Sequence, residues 1–156
     1  MNVSLKKATV QDAEAILAMQ IIAFKPLLDK YQDYETSPGA ETVERIRARM
    51  AHPQISSFLI QLGSENIGHI RIYAQSDTVC KLSQMFILPE CQGHGYAQRA
   101  IVQVEALYPN ADEWILDTIK QEEKLRHLYE KMGYLLTGTE THIKDGMDLV
   151  DYRKQK

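Results

Sequence analysis

The chain predicts an α/β fold of the mixed α+β kind: a central mixed, mostly antiparallel sheet of about seven strands with four helices, in the order β-α-α-β-β-β-α-β-α-β-β. Three observations predict it. Apolar and β-branched runs follow one another from Phe58 to Leu88 with short polar breaks, as in an antiparallel meander. Two segments of helical period, near 97–107 and 125–132, flank a short apolar run at Trp114–Thr118, which makes a βαβ crossover with parallel strands. Finally, 156 residues with 44% hydrophobic side chains can bury one core, so residues 1–156 read as a single domain.

Val3–Lys7 is the first strand, and Thr9 with Asp12 three residues on has capping-box spacing. Ala13, Ile16, Leu17, Gln20, Ile21 and Phe24 then form a nearly apolar stripe, which Pro26 is expected to stop near Phe24 or Lys25. Pro26 to Gly39 reads as irregular. Val43, Ile46, Arg47 and Met50 resume the helical period, closed by Pro53. Phe58–Leu62 and Ile67–Ala74 form a hairpin through Gly63-Ser64-Glu65-Asn66, and Val79–Leu88 extends the meander. A helix through Ala97, Ala100, Ile101, Val104 and Leu107 follows, then a break at Pro109–Asp112 and the strand Trp114–Thr118. Leu125, Leu128, Tyr129 and Met132 share one helix face, ended by Gly133. Tyr134–His142 and Met147–Tyr152 close the sheet.

Between the strand ending at Leu88 and the helix starting near Ala97 stands Gln92-Gly93-His94-Gly95-Tyr96-Ala97. Two glycines let successive N–H groups turn inward, and the helix start adds the positive end of its dipole, so the stretch suits a phosphate. A mononucleotide loop is excluded, since no Gly-Lys-Ser/Thr occurs. A dinucleotide fingerprint fits poorly: Gln98 stands where a third small residue belongs, and Pro89-Glu90-Cys91 separates strand from loop. On the two glycines alone, a turn that merely starts a helix stays open.

A net charge of -3 with 25% charged residues and no basic block gives no footprint for nucleic acid. The N-terminal residues lack the apolar core of a signal peptide, and no apolar run approaches the roughly 20 residues of a membrane span. A cytoplasmic protein without a membrane partner is therefore expected. Cys80 and Cys91 make no disulfide framework and fit a reducing compartment. His52, His69, His127 and His142 lack zinc-site spacing, so no metal is expected.

Pro89-x-x-Gln92-Gly93-x-Gly95-Tyr96-Ala97 after a strand resembles the acetyl-coenzyme A signature of the GNAT superfamily of N-acetyltransferases. Leu128-Tyr129-Glu130-Lys131-Met132-Gly133-Tyr134 is similar to its second motif, and the element order agrees from Val3 to Tyr152. The resemblance implies a GNAT-type sheet and an acetyl-CoA-dependent N-acetyltransferase that acts on a primary amine by direct attack in a ternary complex. A coenzyme-binding sensor or regulatory domain without catalysis is the alternative.

By that resemblance, backbone groups of Gln92, Gly93, His94, Gly95, Tyr96 and Ala97 bind the pyrophosphate of acetyl-CoA, and the main chain of Met85, Phe86 and Ile87 runs along the pantetheine arm. A donor there would stabilise the thioester oxyanion, a contribution of roughly 3 kcal/mol. Tyr129 takes the place of the acid that protonates the departing thiolate. Glu122 stands where an asparagine is frequent, and is expected to face solvent in the first turn of its helix. No base is legible in Lys81, Leu82, Ser83 or Gln84; Asp117 and Glu35 are the acids to test. The acceptor wall is expected at Leu27–Pro38, where Tyr31, Tyr34 and Glu35, with Asp29 and Asp33, would suit a small cationic amine, although a peptide amine stays open. Cys91 beside the loop would serve a ping-pong route, which the family's usual course disfavours. Homodimers are frequent in the family, which makes pairing through the edges of Tyr134–Tyr152 the expectation.

Overall fold

The computed structural model describes residues 2–156. Its elements are β1 (Val3–Lys7), α1 (Ala13–Tyr31), α2 (Val43–Met50), β2 (Ile55–Leu62), β3 (Glu65–Ala74), β4 (Val79–Ile87), α3 (Tyr96–Ala106), β5 (Glu113–Ile119), α4 (Glu123–Lys131), β6 (Leu135–Lys144) and β7 (Met147–Gln155). The strands form one sheet in the order β1-β2-β3-β4-β5-β7-β6. Every neighbouring pair is antiparallel except β4 and β5, which are parallel, as the intervening helix α3 requires.

Two cores lie on the two faces of this sheet. Ala13, Ile16 and Met19 of α1 and Ile46 of α2 pack with Leu59 and Phe86 on one face. Ala100, Ile101 and Val104 of α3 and Tyr129 of α4 pack with Ile60, Ile70, Ile72, Trp114, Leu116 and Tyr152 on the other. The strand residues sort between faces by the two-residue period of the pleat. Trp114, Tyr134 and Tyr152 are fully buried at its centre, and Tyr134 is held by a hydrogen bond to Glu105 (2.9 Å), whose other oxygen accepts from Lys154 (2.8 Å).

Thr9 and Asp12 do form the capping box, around a single 3-10 turn that leads into α1. The first helix, however, does not stop at Phe24 or Lys25: it continues through Pro26 to Tyr31. Pro26 removes the bond to the carbonyl of Ile22, but both residues are exposed, so water can take that carbonyl and the interruption faces no apolar surface. An i,i+4 pair between Lys25 and Asp29 (2.9 Å) supports the next turn, and Gln32, in the left-handed region at φ 53°, ends it with its N–H on Leu28 O (2.7 Å). The first part of the stretch expected to be irregular, Pro26 to Tyr31, is therefore helix. Among the described residues no helix is long and apolar enough to cross a membrane.

Candidate functional site

The site begins where the two parallel strands part. β4 and β5 pair only at Val79, Cys80 and Lys81 opposite Glu113, Trp114 and Ile115; beyond that, both continue, to Ile87 and Ile119, unpaired with each other. Ser83 is the local cause. It is the extra residue of a β-bulge, since Ile72 opposes Leu82 while Arg71 opposes Gln84. A bulge bends its strand and shifts the side-chain phase. Leu82 thus packs in the α3/α4 core, whereas Gln84 and Phe86 point under α1, where Phe24 meets Phe86 edge-on at 5.7 Å.

The phase shift also decides which backbone groups face the gap. Leu88 N–H donates to Ile67 O (2.8 Å), and bonded positions alternate along an antiparallel ladder, so Gln84 and Phe86 bond toward β3. Met85 and Ile87 therefore turn their N–H and C=O groups to the open edge. The Ile87 carbonyl is engaged there by Gln92 Nε2 (2.9 Å), which ties the loop to the end of the strand.

In the loop, Gly93 (φ 84°) and Gly95 (φ 79°) both adopt the left-handed region, and Gly95 is the N-cap of α3. Among the described residues, the N–H groups of residues 93 to 98 have no backbone or side-chain partner, while the Gln92 N–H is held by Pro89 O (3.2 Å). The free donors thus begin one residue later than Gln92, whose contribution is its bracing side chain. His94 stacks on Tyr96 at 5.4 Å and 15°, and the Arg99 guanidinium lies 5.8 Å from the same ring, adding a cation beside the free N–H groups. These groups fit the diphosphate of coenzyme A: preorganised donors at a helix start with a positive charge next to them.

Tyr129 lies below the fork, buried and edge-on to Tyr134 (6.2 Å), with no hydrogen bond to its hydroxyl among the described residues. Burial, with the Asp117 charge adding, pushes its pKa up to about 12. Asp117 accepts an ion pair from Lys81 (3.1 Å) at the crotch of the fork, and directly across on β7 stands Asp151. Carboxylates in cross-strand register repel, and Lys81 neutralises only one of them. Of these three groups, one carboxylate is left without a counter-charge.

The loop after α1 is less acidic toward solvent than expected. Asp33 is buried and accepts from the Thr36 N–H (3.2 Å) and hydroxyl, and Asp29 is paired with Lys25; Tyr34 (65% exposed) and Glu35 stay exposed. Tyr31 is buried and donates its hydroxyl to Glu122, which also accepts from Lys30 (2.7 Å). Glu122 is thus tied to α1, not free in solvent. Burial raises its pKa, but Lys30 and the Tyr31 hydroxyl outweigh that and hold the carboxyl low. The Cys91 thiol is pushed up by burial and by the Glu90 and Glu65 charges, the opposite of an activated nucleophile. Among the described residues no cluster of His, Cys, Asp and Glu could hold a metal ion.

Arg99, Asp151 and the bulge at Ser83 escaped the reading of the sequence. A basic residue one turn after the glycines was a usable signal for Arg99. Nothing in the local sequence marks a bulge at Ser83, and Asp151 acquires meaning only from its register with Asp117.

Residues 28–156 match the family model described as an acetyltransferase (GNAT) domain. A comparison with curated proteins finds no match. Among solved structures, the PaiA N-acetyltransferase from Thermoplasma acidophilum in complex with coenzyme A superposes with a TM-score of 0.82 at 17% identity, covering 100% of both chains. An acetyltransferase from Thermus thermophilus gives 0.78 at 17% identity, covering 100% of this chain and 98% of that one. The spermidine/spermine N-acetyltransferase SpeG from Vibrio cholerae gives 0.72 at 16% identity, over 99% of this chain and 92% of that one. At these identities the likeness is one of fold.

Proposed function

The chain belongs to the GNAT acetyltransferase family, and from that premise we propose that it transfers an acetyl group from acetyl-CoA to a primary amine of a small cationic acceptor by direct attack in a ternary complex. The observation that carries this is the parting of β4 from β5 directly beside a loop of unpaired N–H groups. Acetyl-CoA supplies the activated thioester. The N–H groups of residues 93 to 98 and Arg99 hold its diphosphate, and the open edge at Met85 and Ile87 pairs with the amide-bearing pantetheine arm as a strand would. An edge N–H aimed at the thioester oxygen stabilises charge as it develops.

Tyr129 delivers a proton to the departing sulfur. With its pKa raised to about 12 it keeps that proton throughout the neutral range. Asp151, which Lys81 does not neutralise, draws the acceptor's ammonium to the rim, where an amine of pKa near 10.4 must first lose a proton, and Asp117 is the base proposed to take it. Tyr34 and Glu35 extend the acceptor surface. That SpeG is named for spermidine, a polycation, agrees with a rim of this charge. The raised Cys91 thiol speaks for direct attack over an acyl-cysteine. The protein works in the cytoplasm as a homodimer that pairs through β6, an edge strand whose Leu135 is 73% exposed.

The test is coenzyme A calorimetry together with thiol release from acetyl-CoA over a panel of polyamine, monoamine and peptide acceptors. Binding with turnover of cationic amines is expected. Binding without turnover of any amine would make the chain a coenzyme-binding sensor, and absence of binding would reject the coenzyme site itself.

A further inference from the structure

Between α1, α2 and the sheet, a void of about 10 Å³ is walled by apolar Ile16 and Ile46 and by polar Gln20, Arg49, Ser57, His69 and Arg71; Gln20, Arg49 and His69 are the ones with an unpartnered buried atom. Gln20 and His69 are 0% and 2% exposed. Each of the three has a buried polar atom without a partner among the described residues: Gln20 Oε1, Arg49 Nη1 and His69 Nε2. One other polar atom of each is engaged. Gln20 Nε2 donates to Pro38 O (2.8 Å), Arg49 Nη2 donates to Glu41 (2.9 Å), and His69 Nδ1 meets Gln84 Oε1 at 3.0 Å. Because that amide oxygen only accepts, Nδ1 carries the ring proton and Nε2 presents a lone pair.

The unpartnered set is thus two acceptors and one donor around a space of one water's size. An anion would face the lone pairs of Gln20 and His69, and a cation would face Arg49 and the nearby Arg71 guanidinium. Only a molecule with two donors and a free lone pair matches all three. We infer that one ordered water occupies this void, donating to His69 Nε2 and Gln20 Oε1 and accepting from Arg49 Nη1. It completes a chain from Arg49 on α2 through His69 to Gln84, the first residue past the bulge at Ser83 and the neighbour of Met85. The helix layer is thereby pinned to the segment of β4 that lines the open edge. The water site stands independently of the coenzyme; its effect on coenzyme binding rests on the function proposed above.

Two measurements on the wild-type protein test the site: imidazole nitrogen shifts and water-to-protein cross-relaxation. An Nδ1–H tautomer at His69 with a long-lived water beside it is expected; an Nε2–H tautomer or no such water overturns the inference. Double-variant cycles then test the link. Arg49→Met and His69→Phe should shift the urea midpoint by less together than the sum of their separate shifts. The coupling should survive in His69→Gln, whose amide reaches the Nε2 position, and vanish in His69→Asn, which reaches only Nδ1. Additive shifts throughout overturn the link. Coenzyme A affinity should fall severalfold in folded His69→Phe. Equal binding by variant and wild type overturns the pinning of the open edge, whereas a wild type that binds no coenzyme counts against the proposed function instead.

Discussion

The Tyr31 hydroxyl donates to the Glu122 carboxylate and so joins the last residue of α1 to the residue that starts α4. These helices lie on opposite faces of the sheet. The bond therefore reaches from the β4 side, where Phe24 packs on Phe86, to the connection that follows β5, and it closes the wide end of the fork. A hydrogen bond to a charged partner contributes about 1.5–3 kcal/mol, and partial exposure with Lys30 remaining on the same carboxylate puts Tyr31→Phe at about 1 kcal/mol. Urea unfolding checks that loss. Because the bond borders the acceptor side, the acceptor KM should rise severalfold with coenzyme A affinity unchanged; the reverse pattern would place the bond on the coenzyme.

Tyr129→Phe should lower kcat by about 10²-fold, the low end for proton transfer, since a thiolate leaves without much help. Coenzyme A affinity should stay near wild type. The pKa of about 12 adds a pH prediction: the active form is the protonated phenol, so it is present below that value and lost only above it. A kcat profile over pH should therefore show no descending limb from this group below about pH 11. A limb near pH 9 that disappears in Tyr129→Phe would contradict the burial that sets this pKa.

Asp151→Asn relieves the repulsion with Asp117 while removing the one rim carboxylate in the pair that Lys81 does not neutralise. Stability should hold or rise slightly, because like charges in cross-strand register destabilise. The KM for a polyamine should rise about tenfold, and that for a monoamine much less. Equal effects on both acceptors would remove Asp151 from acceptor recognition.

Most of the fold was legible because its elements announce themselves locally. The hairpin at Gly63, the crossover through α3 and the helix face of Leu125 and Tyr129 are periodic patterns with turn residues at their ends. The glycine loop was legible for the same reason, as two glycines between a strand and a helix. Pro26 misled because the cost of a helical proline depends on where the freed carbonyl points, and here it points to water. The proposed acceptor side was hidden more deeply. Asp33 looks like a surface acid until Thr36 folds onto it, Glu122 looks free until Tyr31 arrives from 91 residues away, and Asp151 needs strand register. Charge in a loop is visible in sequence; which charges cancel is a tertiary fact.

Gly95→Ala tests whether the loop's conformation or its space matters. An added Cβ would meet nothing within 4 Å, so no clash is involved, but φ 79° is a region where a side chain costs about 1–2 kcal/mol. Stability should drop by about 1 kcal/mol, or the loop should relax and lose its aligned N–H groups. Where the loop relaxes and stability holds, coenzyme A affinity falls, by about tenfold, in calorimetry. Unchanged affinity with unchanged stability would mean that the diphosphate does not sit on these donors.

His69 makes folding sensitive to acid. Burial, then the Arg71 charge, lowers its pKa from the usual 6.5 to about 3, against a weaker opposite pull from the Gln84 hydrogen bond. The groups around it, Arg49, Arg71, Gln20 and Gln84, offer no carboxylate in contact that would welcome a charged ring. Between pH 6.5 and 3 the unfolded chain binds a proton at this residue and the folded chain does not. Stability is therefore complete above pH 6.5 and declines as pH falls through the window toward 3. One proton corresponds to about 1.4 kcal/mol per pH unit. Comparing wild type with His69→Gln by urea unfolding at several pH values cancels the carboxylates common to both. The wild-type curve should be steeper by about that slope between pH 6 and pH 4. Parallel curves would mean that the ring is charged or solvated in the native state.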